Sequence, residues 1–275
     1  MSCEAAVSCL KKGKTMITDS FDIKSEAILT PQAFLGEQKQ FSRLAVGTFS
    51  REIYAEALKR YPHEQIGEIR AANMVKPLHL IRAEGMEIVF YLSEIGSSLA
   101  SVDVIEINWM SGAENFILFG SAGSLDRDKT SGRYVIPTAA YRDEGTSYHY
   151  APPADYIAVP GADLVAEVFD EAHIPYIKGR VWTTDAPYRE TRGHVARRKE
   201  EGCLAVEMEL AGVQAACDFY GFRLFDFLQT GDVVDQPEYT PEGLHEANHA
   251  LDKLDIALRI AKRVLAQFAG EETIL

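Results

Sequence analysis

From about residue 41 onward, short runs of aromatic and β-branched residues alternate with stretches whose apolar positions repeat at helical spacing. Residues 87–92 (EIVFYL), 115–119 (NFILF), 134–137 (YVIP), 176–183 and 223–229 (RLFDFLQ) read as strands. Residues 50–61, 163–173, 208–220 and 242–268 read as helices. In the first helix Ile53, Tyr54, Ala57 and Leu58 share a face, with Thr48 or Ser50 as N-cap; Gly221 stops the third. A chain that alternates in this way buries its strands under helices. The expected fold is a single α/β domain, a central mixed β-sheet flanked by helices, over residues 41–275. A polar, irregular N-terminal arm at residues 1–40 precedes it. In such sheets ligands gather beyond the carboxyl ends of the strands, so a site is sought just after each strand.

Charge narrows the partners. The 275 residues carry 28 Lys and Arg against 41 Asp and Glu, a formal net charge of −13. That surface repels phosphate backbones and anionic lipid, which argues against nucleic acid and membrane as general partners. A small anion is admitted only where local donors overcome the field. Cys3, Cys9, Cys203 and Cys217 form no Cys-x-x-Cys pair, a usage that fits a reducing compartment. The first residues place only a short apolar stretch before Lys11 and Lys12, the wrong order for a secretory signal. No apolar run approaches the roughly 20 residues of a membrane span. A cytoplasmic protein is expected.

Five constellations carry chemistry. Gly120-Ser121-Ala122-Gly123 follows the strand NFILF, where a tight turn is the plainer reading. Its amides and the Ser121 hydroxyl also suit an anion, although no lysine follows as in a Walker loop. Gly47-Thr48-Phe49-Ser50-Arg51 joins a helix start to a guanidinium, either an anion site or an ordinary N-cap with a surface arginine. Glu207 and Glu209 share a face if their segment is extended but diverge on a helix; a buried carboxylate there accepts from paired hydroxyls. Asp232, just past the strand RLFDFLQ, is either a turn aspartate or a proton donor to a leaving group. His245-Glu246-Ala247-Asn248-His249 matches the zinc-peptidase pattern. Asp252, Lys253 and Asp255 follow at once and little chain remains for a third ligand, so no metal is expected.

Taken in order, FGSAGSL, RDEGTSYHY, WTTDAPYRE, VEMELAG and TGDVVD make the chain resemble the nucleoside phosphorylase family over about residues 42–267. The resemblance is to the branch that holds hexameric purine nucleoside phosphorylase and uridine phosphorylase. It implies phosphorolysis of a nucleoside N-glycosidic bond, giving free base and ribose 1-phosphate. It implies no cofactor, inorganic phosphate as co-substrate, and a homo-oligomer (a dimer or a trimer of dimers) with sites near subunit interfaces. Matched by motif, Gly47, Arg51 and Ser121 bind phosphate, while Met208, Glu209 and Ile95 bind ribose. Glu207 lies near base and sugar, and Asp232 protonates the departing base. Tyr188 and Trp182 are read either as an aromatic wall for the base or as core packing.

The chain departs from the family pattern twice. Leu118 stands where phosphorylases carry an arginine two residues before the Gly-Ser turn, which weakens dianion binding. Arg51 compensates, or Arg70 or Lys76 from a neighbouring subunit; otherwise the chain is a hydrolytic nucleosidase or a catalytically silent nucleoside binder. Base choice is mixed, because Asp232 is similar to purine-acting members whereas RDEGTS and TDAPYRE are similar to uridine-type ones.

Overall fold

Residues 16–19, 21–236 and 238–268 are described in a computed structural model. The strands are β1 (Leu44–Thr48), β2 (His63–Ala71), β3 (Met74–Ala83), β4 (Met86–Leu92), β5 (Asn115–Ser124), β6 (Tyr134–Asp143), β7 (Tyr156–Ala158), β8 (Tyr176–Thr184), β9 (Cys203–Glu207) and β10 (Arg223–Val233). The helices are α1 (Pro31–Leu35), α2 (Arg51–Arg60), α3 (Ser97–Ser111), α4 (Arg127–Thr130), α5 (Ala162–Glu171), α6 (Arg192–Glu200), α7 (Leu210–Tyr220), α8 (Leu244–His249) and α9 (Asp252–Phe268).

All ten strands join in one mixed sheet, in the order β10-β6-β8-β9-β5-β1-β4-β3-β2 with β7 beside β6. β5 is its hub. It runs parallel to β1 and to β10, then its last residues turn antiparallel to β9, pairing Gly123 with Val206. β10 also pairs with β6, so the strands β10, β6, β8, β9 and β5 close on one another.

The pleat of β5 sends successive side chains to opposite cores. Ile117 and Phe119 meet α2, α5 and α9 through residues such as Ile53, Phe169, Leu258 and Ala261. Phe116 and Leu118 meet α3 and α7 through Val104, Ile107, Val213 and Ala216. Each fully buried Leu, Ile or Phe adds about 1.5–3 kcal/mol, which is why a strand covered on both faces is apolar throughout.

The structure differs from the sequence reading at three places that matter for the site. The strand NFILF does not end in a turn at Gly120; β5 continues through Ser124. Its glycines are there for close approach: a Cβ on Gly120 would meet the Phe49 ring at 3.1 Å, and one on Gly123 would meet Val206 at 3.0 Å. The strand expected at 134–137 runs on to Asp143. The closing helix expected over 242–268 is broken at Ala250 and Leu251 into α8 and α9. α9 continues along the core, burying Leu254, Ala257, Leu258, Ala261 and Val264 on one face, while α8 turns toward the strand ends.

Most of the N-terminal arm's first half, with Cys3 and Cys9, lies outside the described residues. Its later part follows α3: Trp109 Nε1 donates to the Gly36 carbonyl at 2.8 Å and the Lys39 amide to the Trp109 carbonyl at 3.0 Å. Cys203 and Cys217 are buried free thiols. Among the described residues no helix is long and apolar enough to cross a membrane.

Candidate functional site

A cavity of about 430 Å³ opens at the carboxyl ends of the central strands, where α/β sheets place ligands and in the size range of small-molecule sites. Its wall takes Thr48, Phe49 and Ser50 from the β1–α2 junction, residues 119–123 from β5, and residues 206–209 from the β9–α7 junction. Asp232 comes from β10, and Ile95, Pro187, Glu190, Leu244, Asn248 and His249 complete it. Ile95, Ser121, Glu207, Met208, Glu209 and Asp232, all singled out in the sequence, thus meet in one space.

Two groups of polar side chains can be distinguished. In the first, Ser50 caps α2 by accepting from the Ile53 amide at 3.2 Å, and its Oγ lies 2.7 Å from His249 Nδ1. Beside it in the wall, Ser121 Oγ donates to Asn248 Oδ1. The second group is carboxylic. Glu207 ends β9 and accepts from the Glu209 and Leu210 amides, both at 2.7 Å, and from Thr183 Oγ1. It thereby satisfies the open amides at the start of α7. Glu209 reaches across to α3, accepting from the Gly96 amide at 2.6 Å. The two helix starts sit close because Gly212 carries no side chain: a Cβ there would lie 2.7 Å from Ser97 Cβ.

Burial raises the pKa of every carboxyl in this region that shifts. Glu207 is raised by burial against the hydrogen bonds it accepts, and Glu209 by burial and then by the Glu207 charge. Behind them on β10, Asp226 is buried and stands well above the usual carboxylate range, through burial and the charges of Glu207 and Glu209. Glu190 is pushed up to about 7 by burial and then by Asp232.

Several expected residues stand outside the cavity. Gly47 lies between Tyr91 and Leu118, where a Cβ would come within 2.5 Å and 2.6 Å of their side chains. Arg51 opens α2 but is exposed and not on the wall. Of the two readings of Trp182 and Tyr188, wall or core, the structure gives core for Trp182 and neither for Tyr188. Trp182 is buried among Leu125, Val195, Cys203 and Val206, and donates from Nε1 to Asp143 at 3.0 Å. Tyr188 is fully exposed, while its neighbours Pro187 and Glu190 face the cavity. The rings on the wall are Phe49, Phe119 and the imidazole of His249. Lys76 is committed within its own chain, bound to Asp103 at 2.8 Å in a buried pair, and Arg70 pairs with Glu68 at the surface. Leu118 is buried in the core under α3 and α7. Among the described residues no lysine or arginine lines the cavity.

The sequence reading did not single out Glu190, Asn248 or His249 as wall residues. The last two belong to the His-Glu-x-x-His motif, which the metal reading had claimed. The rings of His245 and His249 lie 4.8 Å apart, and among the described residues no group of three His, Cys, Asp or Glu side chains is placed to hold a metal.

Comparison with known proteins bears on this geometry. Guanosine phosphorylase of Halorubrum lacusprofundi is 31% identical over 147 residues, covering 51% of this chain and 58% of the relative. A DeoD-type purine nucleoside phosphorylase of Exiguobacterium is 32% identical over 125 residues, covering 43% and 52%. The chain thus spans between half and three-fifths of the length of these two curated relatives. Among solved structures, AMP nucleosidase of Bacteroides thetaiotaomicron superposes with a TM-score of 0.65 at 18% identity, over 84% of this chain and 91% of that one. A futalosine hydrolase mutant of Helicobacter pylori gives 0.64 at 19%, over 80% and 98%. These structures share the fold. A sequence model of the Phosphorylase superfamily matches residues 44–269, the span that builds the sheet and every wall of the cavity, and the chain belongs to that superfamily.

Proposed function

We propose that the protein cleaves the N-glycosidic bond of a nucleoside with inorganic phosphate as acceptor, releasing free base and ribose 1-phosphate. The observation that carries this reading is the meeting, in one cavity, of hydroxyl donors at Ser50 and Ser121 with the carboxylates Glu209 and Asp232. The names of the curated relatives, guanosine phosphorylase and purine nucleoside phosphorylase, support it.

In this reading a phosphate oxygen forms a bond to the anomeric carbon as the carbon–nitrogen bond breaks, its electron pair passing to the base. Asp232 gives the base its proton. Positive charge gathers on the ribose in the transition state, and Glu209, accepting from the 2′ and 3′ hydroxyls, stabilises it. Glu209 has capacity for this, since each carboxylate oxygen accepts more than one hydrogen bond. Met208 and Ile95 pack against the sugar. The base faces Glu190, Phe49 and Phe119 rather than Tyr188 and Trp182. Ser121 with its neighbouring amides binds phosphate, and Arg51, exposed on the first turn of α2 next to the wall residue Ser50, swings in from outside the wall to assist.

A second reading, hydrolysis by water, is favoured by a wall that carries no lysine or arginine among the described residues. Base release from a nucleoside panel with and without phosphate separates the two. Phosphorolysis gives ribose 1-phosphate only when phosphate is present, and Arg51→Ala raises the phosphate requirement; equal release in phosphate-free buffer with free ribose as product establishes hydrolysis.

The proposal includes a cytoplasmic homo-oligomer, a dimer or trimer of dimers, with sites near subunit interfaces. Ile95 is 63% exposed at the cavity, and the exposed Leu99 and Val102 of α3 support it as one apolar edge. Light scattering on the purified chain tests the assembly.

A further inference from the structure

Lys253 is the second residue of α9, yet it is only 1% exposed. A buried ammonium is costly unless its donors are satisfied. Nζ donates to three backbone carbonyls: Ala247, Asn248 at 3.4 Å and Gly120 at 3.4 Å. Two of these lie in the last turn of α8, where a helix leaves its carbonyls open. The third belongs to the residue before Ser121 on the cavity wall. One side chain therefore pins the break between α8 and α9 to the middle of β5.

What the pin holds is the hydroxyl group of the cavity. Asn248 accepts from Ser121 Oγ, and His249 Nδ1 lies 2.7 Å from Ser50 Oγ. Among the described residues no lysine or arginine faces these four side chains from the wall, and Leu118 takes no part. Lys253 stands one peptide group behind Ser121, with three backbone carbonyls on its Nζ; the charge of Asp252, its neighbour in the chain, favours the ammonium.

We propose that Lys253 is the positioning residue of an anion subsite: it holds Asn248 and His249 against Ser121 and Ser50 and sets a fixed positive charge behind Gly120. The ligand class is a small oxyanion, inorganic phosphate in the first instance, so the inference rests on the phosphorolytic reading above.

The test measures inorganic phosphate binding by calorimetry on the intact protein without nucleoside, then the KM for phosphate and for nucleoside separately. Lys253→Met is expected to weaken phosphate binding and raise the phosphate KM about tenfold or more, with the nucleoside KM within about twofold. Lys253→Arg recovers part of the loss. Asn248→Ala, which leaves the ammonium in place, weakens phosphate binding in the same direction and serves if the methionine variant does not fold. A general loosening of the fold would raise both KM values together and overturn the proposal, as would unchanged phosphate binding in Lys253→Met or, should that not fold, in Asn248→Ala. If the unmodified protein binds no phosphate, the phosphorolytic reading falls and takes this inference with it; if it binds and the variants bind equally, the inference falls alone.

Discussion

Glu207 and Glu209 are two residues apart and their carboxylates point to different work. Glu207 turns back on its own chain, accepting from the Glu209 and Leu210 amides at 2.7 Å each, while Glu209 crosses to the Gly96 amide at 2.6 Å. The residue between them, Met208, lines the cavity. One carboxylate closes a helix start and the other joins two helix starts at the mouth of a ligand site.

The pair therefore separates under mutation. Glu209→Gln is expected to lower kcat/KM on ribonucleosides by about two orders of magnitude, the scale of a lost electrostatic contact to a transition state, with melting temperature nearly unchanged. Glu207→Gln is expected to destabilise by about 1–2 kcal/mol, as for a lost N-cap. Initial rates and thermal melts on both variants check this; a Glu209→Gln variant that is folded and fully active would end the ribose assignment.

Asp232→Asn should abolish cleavage of ordinary purine nucleosides and spare substrates whose leaving group needs no proton. Rates on a purine nucleoside and on an activated aryl riboside provide the comparison. Equal losses on both would make Asp232 a structural turn residue.

Glu190 gives the fold a pH dependence of known sign. Its carboxyl is pushed up to about 7 from an ordinary 4.5 by burial and the Asp232 charge. Between those values the folded chain holds a proton that the unfolded chain has released, so stability falls as pH rises through the window. Glu190→Gln removes this contribution. Measured by melting temperature, the variant should gain on the unmodified protein between about pH 5 and about pH 8; a constant gap would refute it.

Lys253 works in the opposite sense. Burial holds its ammonium down at about 8 from 10.5, with Asp252 opposing the shift. Over that window the unfolded chain keeps a proton the folded chain gives up, so this contribution to stability rises with pH. Phosphate affinity should decline as the ammonium discharges above about pH 8, and Lys253→Arg, whose charge persists, should show no such decline. Calorimetric titrations at several pH values read both.

The sheet was legible where side chains advertised it. NFILF and RLFDFLQ are apolar on both faces, and both are central strands. α3 was not, because the residues it buries include Ser97, Ser101, Asp103 and Ser111, which break the apolar periodicity. Asp103 is buried because Lys76 comes 27 positions earlier in the chain to meet it, a pairing no local pattern contains. In the site, six residues named from the motifs meet on the wall of one cavity. Asn248 and His249 were hidden inside a motif whose spacing matches a zinc site, and Glu190 in a loop where no periodicity marks which side chain turns inward. For Trp182 aromatic size left two readings open, ligand wall or core, and the packing against Leu125, Val195, Cys203 and Val206 makes it core.

Leu118 is in register with Gly47 on β1 and Asp226 on β10, and Gly47 in turn with Tyr91 on β4, four residues abreast across the sheet. The Tyr91 hydroxyl and Asp226 Oδ1 are buried there without hydrogen-bond partners among the described residues. A designer who placed an arginine at 118 would therefore set its guanidinium beside a waiting acid and a waiting phenol. The new cation would be captured inside the sheet before it reached a ligand. A working cation at this position takes an ordered sequence of changes, with Asp226 and Tyr91 altered first, so the neighbours hold the leucine in place as much as its own packing does.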